Sequence, residues 1–179
     1  MSPSNKNQLQ KIAKDIHVLK ETSGSAYTPE LIDIIVRENE NQIIITTIIE
    51  HTHLDLKTAL LKPPYADMAE QLLLMVAQGL NHIHQLEIIH YSLHDSKIII
   101  KPFHQNVPKK NLIMISNFEN AIIQEDNKES EFYNNGTSLN SQDYSNNILP
   151  APEMLFDKPY KPDFPADIWS LGVIFSNVG

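Results

Sequence analysis

The chain has 179 residues, with 22 acidic against 14 basic side chains, a formal net charge of −8 at pH 7 and no cysteine. This length suffices for one domain with a buried core, and the acidic balance argues against a nucleic-acid partner. A single arginine, Arg37, excludes a phosphate site built from several arginines, and the lack of cysteine excludes disulfides, thiolate nucleophiles and zinc–thiolate sites.

Neither secretion nor membrane insertion is indicated by the sequence. The first ten residues, MSPSNKNQLQ, are polar and lack the apolar core of a signal peptide. No apolar run approaches the length of about 18 residues that a membrane span needs. We therefore expect a protein of the cytoplasm or the nucleus that has no membrane partner.

The N-terminal part predicts one helix followed by two strands. Apolar residues recur at spacings of three and four over residues 7–21, which indicates an amphipathic helix: Leu9, Ile12, Ile16 and Leu19. Two isoleucine-rich runs, Leu31–Val36 and Gln42–Ile49, predict strands on either side of a polar turn.

Two helices are predicted next. A short one spans Asp55–Leu60 and ends before Pro63 and Pro64, since proline cannot continue a helix. A longer one spans Ala66–Leu86 and carries an apolar face. That face consists of Met68, Leu72, Met75, Val76, Gly79, Leu80 and Ile83.

A polar loop between two apolar runs follows this long helix. The stretch 88–100 is IIHYSLHDSKIII, in which Ile88 and Ile89 end the helix pattern. The second run, Ile98–Ile100, is short and β-branched and therefore predicts a buried strand. A polar loop in this position is a common place for catalytic groups.

Three further motifs follow in order. A predicted strand, Leu112–Ile115, leads into Ser-Asn-Phe-Glu-Asn-Ala at 116–121, and residues 124–147 are polar and rich in Asn, Ser, Glu and Asp. Ala-Pro-Glu occupies 151–153, and Asp-Ile-Trp-Ser-Leu-Gly occupies 167–172.

Taken in this order and spacing, the four motifs resemble the protein kinase patterns H-R-D-L-K-P-x-N, D-F-G-x-A, A-P-E and D-x-W-S-x-G. The resemblance runs from about residue 7 to the end. It implies an α+β, protein-kinase-like fold that is incomplete. Residues of about 7–50 would be a small-lobe remnant of one helix and two strands, and 51–179 a mostly helical large lobe that ends within helix F.

The positions that carry the family's chemistry are altered. Ser92 occupies the position of the catalytic aspartate, His94 that of the lysine, and Lys97 that of the metal-binding asparagine. Asn117 occupies the position of the magnesium-binding aspartate. Losing a general base costs about 10²–10⁴-fold in rate, and Mg²⁺ prefers carboxylates over an amide or an ammonium. We therefore expect neither catalysis nor a metal or cofactor.

Structural roles are implied by the same resemblance. His90 is expected to pack near Phe118. Asp167 is expected to accept backbone hydrogen bonds from Tyr91 and Ser92, whether or not catalysis survives.

Two acidic residues at family positions lack their family partners in this sequence. Glu153, of A-P-E, pairs in the family with an arginine much further along. Asp15 lies nearest the helix C glutamate, but the strand lysine that would pair with it is missing, so we interpret it as a solvated helix residue. If a nucleotide binds at all, its candidate contacts are Ile49, Glu50, His51, Lys97 and Asn117.

Three hypotheses on function remain open. The first is a pseudokinase acting as a binding module for another protein, with kinases as one class of partner. The second is an active serine/threonine kinase that uses ATP and Mg²⁺ with displaced groups such as Asp95 and Glu119. This hypothesis includes an alternative alignment in which Asp95-Ser96-Lys97 matches the family's D-x-K. The third is a non-functional fragment of a longer kinase.

Two interpretations of the Lys97 side chain also remain open. It would either neutralise a phosphate without metal or face solvent.

Overall fold

Short antiparallel sheets alternate with helices along the chain. The computed structural model describes residues 3–39, 43–50, 54–102, 111–124, 149–155 and 163–177. The elements are α1 (Pro3–Glu21), β1 (Leu31–Glu38), β2 (Ile43–Ile49), α2 (Leu56–Ala59), α3 (Ala69–Gln85), β3 (Ile88–Ile89), β4 (Ile98–Ile100), β5 (Ile113–Ile115), β6 (Ile122–Ile123) and α4 (Phe164–Ser176). Single 3₁₀ turns cover Ala66–Met68, Asp95–Lys97 and Pro152–Leu155.

The predicted N-terminal helix and hairpin are confirmed. β1 and β2 pair antiparallel, with Val36 opposite Ile45 and a register irregularity between Leu31 and Asp33. Asp55 begins α2 as its N-cap, because its carboxylate accepts the backbone N–H of Thr58 at 2.7 Å.

The long predicted helix forms the centre of the core. Its apolar face is buried through Leu72, Val76, Leu80 and Ile83, and each such side chain contributes roughly 1.5–3 kcal/mol by leaving water. Gly79 permits a close approach to β5, since a Cβ there would lie 3.2 Å from Ile113 and 3.3 Å from Ile115. α3 thus packs directly against the strand that precedes the 116–121 segment.

The prediction that Ile88 and Ile89 end the helix is wrong. α3 ends at Gln85, and Glu87 turns the chain with a φ of 57°. The two isoleucines then form β3, which pairs with Ile122–Ile123 in β6. Their preference for extended backbone, together with a partner strand more than 30 residues away, overrides the continuing helical pattern.

Two small sheets fix the polar loop. β3 pairs with β6 and β4 pairs with β5, so that both ends of the 90–97 loop lie beside both ends of the 116–121 segment. Further on, the indole N–H of Trp169 on α4 donates to the carbonyl of Leu149 at 3.0 Å, next to the Ala-Pro-Glu motif.

Within the described residues, no helix is long and apolar enough to cross a membrane. Nearly all of the polar segment predicted from the sequence, 124–147, lies outside those residues.

Candidate functional site

A buried carboxylate on α4 holds the polar loop in place. The Oδ2 atom of Asp167 accepts the backbone N–H of His90 at 2.7 Å, and its Oδ1 atom accepts that of Tyr91 at 2.8 Å. The predicted bond to Tyr91 is present, but the second donor is His90 and not Ser92. Tyr91 has a φ of 62°, a strained value for a tyrosine that these bonds help to maintain.

Sequence reasoning missed a third partner of this carboxylate. The Nε2 atom of His84, on α3, lies 2.9 Å from Oδ2 of Asp167. The ring of His84 also packs on Phe164, with the ring centroids 4.7 Å apart. No spacing signals this contact, because 83 residues separate the two partners. Asp167 therefore joins α3, the loop and α4 at one buried point.

His90 is a buried, neutral member of the loop. Its ring packs on Phe118 with the centroids 5.0 Å apart, which confirms the predicted packing. Its Nε2 atom donates to the carbonyl of Ser116 at 3.1 Å. Burial, reinforced by the positive charge of Lys97, lowers the pKa of His90 to about 4.

This lowered pKa predicts a loss of stability in mild acid. An unfolded histidine takes up a proton near its ordinary pKa of 6.5, whereas folded His90 does not until about pH 4. The free energy of unfolding should therefore fall by about 2 kcal/mol between pH 7 and pH 5 from this group. Urea unfolding of wild type and His90→Gln at both pH values checks this. The variant should lose this part of the slope and keep the contributions of His94, of the same sign, and of Asp15, of the opposite sign. An unchanged slope would contradict the assignment.

The interpretation of Lys97 as a solvent-facing residue is wrong. Its exposed fraction is only 7%, and its Nζ atom donates to Ser92 Oγ at 2.6 Å and to the carbonyl of Asn117 at 3.4 Å. Ser116 holds the backbone of Lys97 in place, at the end of the turn Asp95–Lys97 and just before β4. The carbonyl of Lys97 accepts both the N–H and the hydroxyl of Ser116. The altered catalytic-base and metal-ligand positions therefore meet around an ammonium group.

The groups around this ammonium are already engaged. Ser92 Oγ lies within 3.4 Å of the side-chain amide of Asn120, which is its second donor. Asn117 has a φ of 63° and an exposed side chain, so its backbone carbonyl and not its amide contacts Lys97. A left-handed backbone suits asparagine better than most residues.

The interpretation of Asp15 as a solvated residue is also wrong. The Oδ1 atom of Asp15 accepts the backbone N–H of Phe118 at 2.6 Å and ties α1 to the 116–121 segment. Burial raises the pKa of this carboxyl, and the charge of Glu119 adds to the effect. The Phe118 hydrogen bond and the positive charge of Lys97 act in the opposite direction.

Two substitutions of Asp15 separate its acceptor role from its charge. Asp15→Ala leaves the Phe118 N–H without its acceptor and should lower the free energy of unfolding by about 1–3 kcal/mol. Asp15→Asn keeps an oxygen and removes a charge that burial disfavours, so its stability at pH 7 should stay close to wild type. Urea unfolding measures both. If the two variants lose the same amount, the hydrogen bond does not carry the effect.

Two other nucleotide-contact candidates make contacts with residues outside this cluster. Ile49 is half-buried against the core, and Glu50 lies 3.9 Å from Nζ of Lys101. His51 is outside the described residues.

His94 and Glu153 complete the predicted set. His94 is partly buried, with its Nδ1 atom 3.9 Å from Oδ1 of Asp95. Burial, followed by the charge of Lys97, lowers the pKa of His94. Asp95 also accepts the hydroxyl of Ser96 at 3.3 Å. Glu153 is half-buried in the turn Pro152–Leu155.

The donor set around Lys97 is unsuited to a divalent cation. Ser92 offers a hydroxyl and Asn117 a carbonyl, both in contact with an ammonium, whereas Mg²⁺ is usually held by one or two carboxylates. At an effective dielectric of about 20, an ammonium about 4 Å from a divalent ion opposes it by about 8 kcal/mol. These residues can accept hydrogen bonds from the ammonium of Lys97, but they do not form a suitable site for Mg²⁺.

This loop, tied to a buried aspartate and flanked by a second polar segment, defines a domain of the protein kinase type. The Protein kinase domain family model matches residues 1–178, and the chain belongs to that family. A probable serine/threonine-protein kinase of Encephalitozoon cuniculi (strain GB-M1) is 35% identical over 109 residues, which are 61% of this chain and 17% of that protein.

The fold is also found in a solved structure. A chain in the crystal structure of the yeast RNA Pol II CTD kinase CTDK-1 complex matches with a TM-score of 0.63 at 15% identity. The match covers 94% of this chain and 49% of that chain. The expected α+β, protein-kinase-like fold is confirmed, and this chain corresponds to about half of the solved one.

Proposed function

We propose that this chain is a protein-kinase-like domain that does not transfer phosphoryl groups and instead binds another protein. One observation carries the proposal: the ammonium of Lys97 lies 2.6 Å from Ser92 Oγ and 3.4 Å from the carbonyl of Asn117. Phosphoryl transfer depends on positioning and on neutralising charge with metal ions. A fixed monovalent cation in contact with a hydroxyl and a backbone carbonyl supplies neither a general base nor ligands for a metal.

The scaffold around the altered positions supports a binding role. Asp167 holds the backbone of the loop, and His90 packs on Phe118, although Ser92 is not a general base at neutral pH. A binding module would keep the fold of this loop even though the loop lacks the family's catalytic groups. The proposed partner is another protein, with kinases as one class, contacting the surface of the large lobe.

An active kinase with displaced groups is the competing proposal, and it depends on Asp95 and Glu119. The carboxylate of Asp95 contacts its neighbours His94 and Ser96. The backbone N–H groups of His90 and Tyr91 donate to Asp167, which favours the register that aligns His90 with the family histidine. Glu119 is half-buried, and its charge raises the pKa of Asp15. Among the described residues, the hydrogen bonds of the Ser92 hydroxyl are with Lys97 and Asn120 and not with either carboxylate.

A radiolabelled ATP assay tests the proposal directly. The purified chain is incubated with γ-labelled ATP, Mg²⁺ or Mn²⁺ and a general protein substrate, beside a preparation carrying Asp95→Ala. We expect no transfer above background from either protein. Transfer by wild type that Asp95→Ala abolishes would overturn the proposal in favour of the displaced-group kinase.

The fragment hypothesis is tested by folding. A domain with independent function should be soluble and unfold in a single cooperative transition in urea. A gradual, non-cooperative transition would instead favour a non-functional fragment.

A further inference from the structure

The hydroxyl of Ser92 has a hydrogen that it does not use inside the loop. Its Oγ atom accepts hydrogen bonds from Nζ of Lys97 at 2.6 Å and from Nδ2 of Asn120 at 3.4 Å. A serine hydroxyl has two acceptor positions and one hydrogen, so only the hydrogen remains to be bonded. Among the described residues, no acceptor receives it. A hydroxyl donor beside an ammonium suits a negatively charged oxygen, because hydrogen bonds to ionised acceptors are the stronger ones.

A second lysine lies on the helix that packs against this loop. α2 contacts the turn Asp95–Lys97, and its N-cap, Asp55, forms a β-bridge with Ile99 of β4. Lys57 of α2 is exposed, and within the described part of the chain it forms no ion pair. α2 therefore brings a second ammonium, open to solvent, to the neighbourhood of the loop.

The ring of His94 feels both of these cations. Its Nδ1 atom is enclosed by protein and has no hydrogen-bond partner among the described residues. Burial, followed by the positive charge of Lys97, lowers the pKa of His94, and the charge of Lys57 acts in the same direction. The charge of Asp95 opposes them, with its Oδ1 atom 3.9 Å from Nδ1 of the ring. Two ammonium groups thus lie within electrostatic reach of one side chain of the loop.

The carboxylates of this region are engaged locally. Asp55 caps α2, and Asp95 accepts the hydroxyl of Ser96 at 3.3 Å. Asp15 and Glu119 lie on α1 and on the 116–121 segment, and their charges act on each other. The loop and α2 therefore offer donors and positive charge, with Asp95 as the acidic side chain nearest to His94.

The charge of the whole chain limits which anions would bind there. A net charge of −8 repels polyanions, such as nucleic acids or nucleoside triphosphates without a metal, over long distances. Two ammonium groups and one hydroxyl match a single oxyanion group. A side-chain carboxylate carries one negative charge, and a phosphoserine carries about −1.5 to −2 at pH 7. Such a group fits best when the residues around it are neutral or basic.

We propose that Lys57, Ser92 and Lys97, with His94 beside them, bind one phosphate or carboxylate side chain in an otherwise neutral or basic segment of a partner protein. The inference rests on the proposed function, because it names the chemistry by which the partner is recognised. Lys97 acts through Ser92: its ammonium holds Oγ and supplies positive charge, while the hydroxyl hydrogen donates to an oxygen of the ligand. Lys57 attracts the anion from the exposed side. An aspartate at position 92 would repel the same ligand.

An amide-detected NMR titration of the full chain tests the proposal. The probes are three alanine-glycine peptides, blocked at both ends, that carry one phosphoserine, one glutamate or one serine. We expect the phosphoserine peptide to shift signals of the 90–97 loop with a Kd in the sub-millimolar range, about threefold or more tighter than the glutamate peptide. The serine peptide should cause no shift. Binding of either anionic peptide alone also supports the site and identifies the group that it takes. No shift of the loop with either one would overturn the proposal.

A matched pair of variants locates the anion. Lys57→Glu replaces an attracting charge by a repelling one at an exposed position and should weaken binding by about tenfold or more. Lys62→Glu, exposed just after α2, changes the net charge equally and should bind much like wild type, since solvent and salt screen the more distant charge. Ser92→Ala removes the hydroxyl donor and should weaken binding by about fivefold. Unchanged binding in Lys57→Glu, or equal losses in both lysine variants, would overturn the site.

The labelled-ATP assay keeps the two proposals separable. Transfer of label to the serine peptide that Asp95→Ala abolishes would overturn the proposed function, whatever the titration shows. No transfer, together with no shift from either anionic peptide, would overturn the inference on the partner alone. Binding of an anionic peptide without transfer supports both.

Discussion

Replacing Asp167 with alanine is expected to lower the free energy of unfolding by about 3–5 kcal/mol, the range for removing one partner from a buried charged network. The carboxylate is fully buried and accepts the backbone N–H groups of His90 and Tyr91, with His84 as its third contact. Alanine would leave two backbone donors without their acceptor and would release the strained backbone at Tyr91.

Asp163 provides the matched control, because it is an exposed aspartate that precedes the same helix. Its carboxylate accepts the N–H of Phe164 as the N-cap of α4, and Asp163→Ala should cost only about 1 kcal/mol. Urea unfolding at pH 7 measures both variants. Losses of equal size would show that Asp167 is an ordinary helix residue and that the loop is held by other contacts.

The second large effect is expected from restoring the family residues around Lys97. The triple variant Ser92→Asp, Lys97→Asn and Asn117→Asp replaces a hydroxyl, an ammonium and an amide by two carboxylates and an amide oxygen. This removes a repulsion of about 8 kcal/mol from a divalent ion and supplies the ligands that Mg²⁺ prefers. We expect the variant to bind Mn²⁺, a spectroscopic substitute for Mg²⁺, at sub-millimolar concentration.

Electron paramagnetic resonance measures this gain, because the signal of free Mn²⁺ falls as the ion binds. The matched control keeps the two new aspartates but carries Lys97→Arg, so that a cation remains among them and the gain should be absent. Equal binding by both variants would mean that the cation at position 97 does not control access of a metal.

The sequence motifs predict the scaffold of the site better than its electrostatics. Asp167, His90 and Phe118 make contacts that the kinase resemblance implies, because these residues retain the family identity and the family geometry follows from them. The strands β1 and β2 were also predictable, since each is a run of β-branched isoleucines, which favour extended backbone, on either side of a polar turn.

Departures from the motifs were less predictable because they depend on tertiary neighbours. Lysine and aspartate usually face solvent. Lys97 and Asp15 are instead partly or fully buried, because they hydrogen-bond to Ser92 and to the backbone of Phe118, which lie close to them only in the folded chain. His84 lies 83 residues from its partner Asp167. Ile88 and Ile89 follow a helical pattern, and only their pairing with β6 makes them a strand.

The most direct test of the central claim is the response of the wild-type chain to Mn²⁺ in the presence of a non-hydrolysable ATP analogue. In amide-detected NMR spectra, bound Mn²⁺ broadens the signals of nearby residues, so the 90–97 loop and the 116–121 segment report on the site. If the ammonium of Lys97 occupies the place of a metal, those signals should keep their intensity relative to the rest of the chain. Selective broadening at Ser92, Lys97 and Asn117 would contradict the account.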